Sequence, residues 1–216
     1  MVNANALILN FLKKTVPNWP KLVNKIGAGK NGRVYKMNNG RLLKFVYGNA
    51  QGEVNGMKKL NNTGIAPKVW NSRVVNVNNA TSRQLRNAAF ENKKLANKIS
   101  LIMMNDIKVY SDRKNPRGKI MTLRNYYREY DTNNSNITNR VGKLISTMHG
   151  RGVFHRNLHR GNIMVSVDDA GKITGMWVID FGRSKIRPPG QKNFNNGSIG
   201  NIGNVQAARR FYSINI

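Results

Sequence analysis

Apolar positions gather first in Ala6-Leu7-Ile8-Leu9, with Phe11 and Leu12 just beyond and Pro17 closing the segment. The run is too short to span a membrane. It has no basic flank before it and no small-residue cleavage site after it, so it does not read as an export signal. It predicts a buried or partner-docking helix. Strand-like stretches follow. Val23 to Ile26 is a short first strand, Arg33-Val34-Tyr35-Lys36-Met37 a second, and Arg41 to Tyr47 a third. Asn38-Asn39-Gly40 supplies the Asn-Gly hairpin signal between the last two. Three strands joined this way predict an antiparallel meander. From Gln51 to Asn62, Val54, Met57 and Leu60 recur at helical spacing, although Gly52 and Gly56 weaken the helix. Lys68 to Val77 and Ile99 to Met104 have strand composition. The polar, basic stretch between them, Asn78 to Lys98, reads as an insertion with a helix around Arg83 to Leu95.

In the second half, Ile137, Val141, Leu144, Ile145 and Met148 fall on one helical face. Ser135 or Asn136 can cap its start and Gly150 can end it. Asn162 to Val167 and Ile173 to Ile179 predict a hairpin turning at Asp168-Asp169-Ala170-Gly171. From Arg187 to Asn204 proline, glycine and asparagine crowd together, which predicts an extended arm. The expected organisation is an N-terminal helical segment over 1–20, one α+β domain over 21–186 with parts at about 21–106 and 107–186, and a basic arm over 187–216.

Charge changes this picture. The 216 residues carry 37 Lys and Arg against nine Asp and Glu, a net charge of +28. Such a chain attracts polyanions: DNA, RNA or an acidic protein surface are the expected partners. The scarcity of acids leaves few carboxylates for ion pairs, and it makes a carboxylate at a motif position informative. There is no cysteine, so disulfides and thiolate metal sites are excluded. With neither an export signal nor a transmembrane span, the expected location is intracellular or virion-associated, not secreted.

Chemistry is suggested in three places. Gly27-Ala28-Gly29-Lys30-Asn31-Gly32-Arg33-Val34 has the spacing G-x-G-x-x-G-x-V between two strands rather than before a helix. Glycine lets backbone N–H groups approach phosphate oxygens with no Cβ in the way. Lys44 follows on the third strand between apolar neighbours, and Glu53 is the only acid before residue 90. The third place is Val153-Phe154-His155-Arg156-Asn157-Leu158-His159-Arg160-Gly161-Asn162, followed by Val178-Ile179-Asp180-Phe181-Gly182. An acid ending so apolar a strand and followed by Phe-Gly stands out in a chain with only nine acids.

In this order the motifs resemble the catalytic loop, Asp-Phe-Gly segment and glycine loop of the protein-kinase-like superfamily. The resemblance runs from about Lys21 to Lys185. Gly64-Ile65-Ala66-Pro67-Lys68-Val69 is similar to the smaller atypical kinases of the Rio or lipopolysaccharide-kinase kind. The resemblance implies a two-lobed fold, with a strand-rich N-lobe and a helical C-lobe, using ATP and Mg²⁺ between them. It implies nucleotide binding by Gly27, Gly29, Gly32, Val34 and Lys44, with Glu53 orienting Lys44 and the Met103-Met104 backbone meeting adenine. It implies catalytic-loop roles for His155 and Arg156 and metal binding by Asn162 and Asp180. His159 stands where many protein kinases have lysine, as a phosphate contact or a weak base.

Two departures set the functional expectation. Asn157 holds the position of the catalytic aspartate, and an amide cannot take a proton at neutral pH. After Gly182 there is no Ala-Pro-Glu motif, and the chain given continues for only 34 residues, so the C-lobe reads as reduced. The first reading is therefore a pseudokinase-like protein with impaired phosphotransfer, retained as a binding or structural component. Small size, asparagine bias and basicity resemble kinase-derived proteins of large DNA viruses, with virion or capsid proteins as partners. The alternatives are an active atypical Ser/Thr kinase using Mg-ATP, and a nucleic-acid-binding protein on a kinase-like scaffold.

Overall fold

The structure is a computed structural model that describes residues 4–29, 32–90, 93–108, 118–130 and 135–188. The chain divides into two units, Met1–Gln51 with Val69–Asp106, and Gly52–Lys68 with Ile107–Ile216.

In the first unit, β1 (Leu22–Ala28), β2 (Gly32–Met37) and β3 (Leu42–Tyr47) form the expected meander. With β4 (Val69–Asn76) and β5 (Lys98–Met104) they make one antiparallel sheet in the order β1-β2-β3-β5-β4. Side chains alternate between the faces of a strand. Tyr35, Met37, Leu43, Phe45, Leu101 and Met103 therefore share one face, and they pack into a single apolar cluster. Helix α1 (Ala4–Thr15) contributes Ile8 and Leu12 to that cluster, and α3 (Asn79–Ala89) contributes Leu85. Each such fully buried side chain stabilises the fold by about 1.5–3 kcal/mol. Val34, Lys44 and Ile102 lie side by side in the register and so occupy the opposite face. This alternation places Lys44 away from the helix-covered core.

The helix α3 begins earlier than its composition suggested, at Asn79 rather than near Arg83, and stops at Ala89 rather than Leu95. The start is set by Asn78, whose side-chain oxygen accepts the Thr81 N–H at 2.9 Å. The end is set by Phe90, which is buried and stacks against Phe45 and Tyr47. Burying that ring draws the chain out of the helical path.

The second unit contains α2 (Gln51–Leu60), which starts at the unit boundary, α4 (Leu123–Tyr130) and α5 (Ser135–Gly150). Ile137, Val141, Leu144, Ile145 and Met148 are all buried, as the periodicity of α5 requires. Strands β8 (Ile163–Val167) and β9 (Ile173–Val178) form the expected hairpin. A strand that the sequence reading did not include, β6 (Lys119–Thr122), pairs with β8. Short β7 (Val153–Phe154) pairs with β10 (Lys185–Ile186). The expected arm, beyond residue 188, lies outside the described residues. Among the described residues no helix is long and apolar enough to cross a membrane.

Candidate active site

The catalytic-loop segment leaves β7 at His155, which is fully buried. Its Nε2 lies 2.8 Å from the Ile179 carbonyl oxygen. A carbonyl only accepts, so Nε2 carries the hydrogen. The ring also lies 4.8 Å from that of Phe181. His155 thus ties the loop to the Asp-Phe-Gly segment from both sides. The Ile179 N–H donates to the Asn162 carbonyl at 2.9 Å, and the Val178 N–H donates to the Ile65 carbonyl at 2.7 Å. The Gly-Ile-Ala-Pro segment is thereby a backbone support for the strand that delivers Asp180.

Asn162 is buried, and its Nδ2 donates to the Asn157 backbone carbonyl at 2.9 Å. With the amide nitrogen so committed, Oδ1 is the acceptor that remains on this side chain. Asp180 is exposed and adopts φ 62, ψ 63. A left-handed conformation in a non-glycine residue costs of order 1–3 kcal/mol and recurs at functional sites. Arg156, also exposed, has φ 60. Glu53 opens α2 and is 5% exposed. A Cβ built on Gly182 would lie 3.6 Å from Asp180 Oδ1 and 3.8 Å from Glu53 Oε2. Two of the chain's nine acids therefore converge on one glycine.

Among the described residues no group of three or more His, Cys, Asp or Glu is placed to hold a metal ion. Asn162 and Asp180 supply two oxygen donors, which suits a hard cation that completes its shell with phosphate and water oxygens. His159 has extended backbone, and its Nδ1 accepts the Gly161 N–H at 3.1 Å. Burial first, and the Arg124 guanidinium second, push its pKa down against the opposing pull of Asp180.

In the first unit the glycine segment is closed by a Gly29 N–H donated to the Gly32 carbonyl at 2.9 Å. A Cβ on Gly32 would stand 2.7 Å from the Phe45 carbonyl oxygen and 3.6 Å from Lys44 Cε. Only glycine fits, and the Lys44 side chain reaches the same place. A Cβ on Gly27 would touch Val34 at 3.7 Å. Met103 and Met104 end the interior strand β5, both buried. Just beyond them Asp106 lies 3.5 Å from Lys36 Nζ.

The proposed site residues thus fall into two sets. Gly27, Gly29, Gly32, Val34, Lys44, Met103 and Met104 belong to the first unit, and Glu53, His155, Arg156, Asn157, His159, Asn162 and Asp180 to the second. Arg124 and Gly161 had no signal in the sequence. Arg124 is one of 37 cations, and its place beside His159 depends on how α4 packs against the loop.

A sequence profile described as the lipopolysaccharide kinase (Kdo/WaaP) family matches residues 31–197. Among solved structures, one titled "WaaP in complex with acyl carrier protein" is similar at 17% sequence identity and a TM-score of 0.43. The match covers 77% of this chain and 64% of that one, so the chain spans less than two thirds of that structure's length. No curated protein matches. The profile extends over well more than half of the chain and includes Gly32, Lys44, the catalytic loop and Asp180. The chain belongs to the lipopolysaccharide kinase (Kdo/WaaP) family, a branch of the protein-kinase-like superfamily.

Proposed function

We propose that this chain binds a magnesium nucleoside triphosphate and that its phosphoryl transfer is impaired at Asn157. The observation that carries the proposal is the composition of the loop. Asn157 takes the base position, while its own carbonyl accepts from the Asn162 amide and so leaves Oδ1 as that side chain's acceptor. On this reading the loop keeps the residues that would hold a metal ion, and the proton-accepting position is an amide.

Asn162 and Asp180 would hold the magnesium ion. Gly27, Gly29 and Gly32 would bring backbone N–H groups to the phosphates, Lys44 would neutralise them, and the Met103-Met104 backbone would meet the base. When bound, the magnesium nucleotide supplies the phosphoryl group and neutralises much of its charge. The chain's own residues then bind and orient. Glu53 and Asp180 flank Gly182, and His155 holds the Asp180 strand end to the loop. Asn157 can orient an acceptor hydroxyl through its amide oxygen but cannot take the proton. General-base catalysis is worth about 10²–10⁴-fold, and the remaining contribution of positioning survives its loss.

Two measurements test this. Mg-ATP should raise the melting temperature of the wild-type chain, and Asp180→Ala should abolish the rise. Phosphate transfer from labelled ATP should be weak in the wild type and about 10²–10⁴-fold faster in Asn157→Asp. Equal, fast transfer by both would support the reading as an active Ser/Thr-type kinase instead. No melting shift with Mg-ATP would sink the nucleotide reading.

A further inference from the structure

Arg33 follows the last glycine of the loop, at a position where the G-x-G-x-x-G-x-V spacing asks for no particular residue. Its side chain is half-buried. Nη1 donates to the Gly29 carbonyl at 2.8 Å and to the Gly32 carbonyl at 3.2 Å. Nη2 donates to the carbonyl of Ala89, the last residue of α3. Cζ lies 4.8 Å from the centroid of the Phe90 ring, which is itself buried and stacked on Phe45 and Tyr47. The last carbonyls of a helix have no partner within it, and the helix dipole favours a cation there. One guanidinium thus joins the end of α3 to the glycine loop, across 56 residues of sequence.

The strand register gives the side from which the loop is held. Arg33 pairs with Phe45, and Val34 with Lys44. Residues paired across two strands share a face. Arg33 therefore lies with Phe45 on the helix-covered face, and Lys44 lies on the opposite one. Arg33 reaches the loop from behind. Backbone N–H groups attract an anion, whereas carbonyl oxygens repel it. The Gly29 and Gly32 carbonyls are committed to the guanidinium and so are turned towards it. A planar guanidinium can serve several acceptors while lying against a ring; a lysine ammonium is a point charge on a flexible stem and cannot reproduce this.

We propose that Arg33 is a positioning residue for the nucleotide phosphates: a clasp that sets the shape of the glycine loop from behind and ties it to the last turn of α3. Ordering the loop and ordering that turn are then coupled, and such coupling is reciprocal. The role towards phosphate rests on the nucleotide reading above; the clasp between loop and helix does not.

The test uses the full chain and the variant Arg33→Lys, which keeps the charge. Hydrogen exchange is read first without nucleotide. The Gly29 N–H donates to the Gly32 carbonyl at 2.9 Å, and the Phe90 N–H to the Arg86 carbonyl at 2.7 Å. Both amides should exchange about tenfold faster in the variant, the scale of one lost charge-assisted hydrogen bond. Amides of the β3–β5 ladder should exchange as in the wild type. Mg-ATP should then bind the variant about tenfold more weakly, and it should slow exchange at Phe90 in the wild type alone. Wild-type exchange at both amides in Arg33→Lys overturns the clasp. Wild-type affinity for Mg-ATP in a variant whose amides have quickened overturns the positioning role, because charge alone then suffices. If the wild type binds no Mg-ATP, the nucleotide reading falls, while quickened exchange in the variant still supports the clasp. Normal Mg-ATP binding with unchanged exchange does the reverse.

Discussion

Gly32 and Gly29 belong to the same motif, yet space treats them differently. A Cβ at Gly32 meets the Phe45 carbonyl at 2.7 Å, whereas one at Gly29 meets nothing within 4 Å. The Phe45 oxygen is backbone, so Gly32→Ala must open the β2–β3 ladder. It should cost about 1–3 kcal/mol, the range for overpacking, while Gly29→Ala should stay within about 0.5 kcal/mol; denaturant midpoints of the two variants decide this. His149 carries a second residue-scale prediction. It is buried, and burial followed by the Arg187 guanidinium lowers its pKa to about 4. An unfolded histidine titrates near 6.5, so on acidification the unfolded chain takes the proton first. The stabilising contribution is complete above about pH 6.5 and is lost as pH falls towards 4. Unfolding free energies from pH 7 to 4 should decline more steeply in the wild type than in His149→Gln, by of order 1–3 kcal/mol over the window. Gly32, Lys44, Asn162 and Asp180 stand out in the sequence because the chemistry proposed for them demands particular residue types at particular spacings. His149 does not, because its shift comes from what packs over it.

At the scale of elements, periodicity found α5 and the β8–β9 hairpin almost to the residue, since each buries one face against a partner. It missed the true limits of α3. There the Asn78 cap and the burial of Phe90 decide, and polar composition alone spread the helix too far along the chain. Asn78→Ala should cost about 1 kcal/mol, with helix loss confined to α3 and the five-stranded sheet retained, readable by hydrogen exchange at Thr81 and Ser82. Strand β6 is four residues long and earns its place only by pairing with β8. Four residues with no strong alternation carry no usable signal before that partner is known.

For the whole molecule, charge makes the broadest prediction. With 37 cations against nine acids, binding to a mixed-sequence DNA duplex should weaken with salt. Neutralising even four phosphates gives a log–log slope of about −3.6; a flat slope rejects phosphate neutralisation and with it the nucleic-acid reading of the charge. Net charge and the order of the motifs were settled by the sequence, because both are properties of the chain as a string: they depend on which residues occur and how far apart. The kinase-like ancestry and the amide at Asn157 follow from that alone. Tertiary structure decided the rest. Glu53 and Asp180 lie 127 positions apart and meet at Gly182 because α2 and the end of β9 are packed into one unit. His159 Nδ1 accepts a hydrogen bond because a 3₁₀ turn brings the Gly161 N–H to it. Spacing names the residues available to a site, but the direction of each lone pair and hydrogen is set by backbone that folds only against distant neighbours.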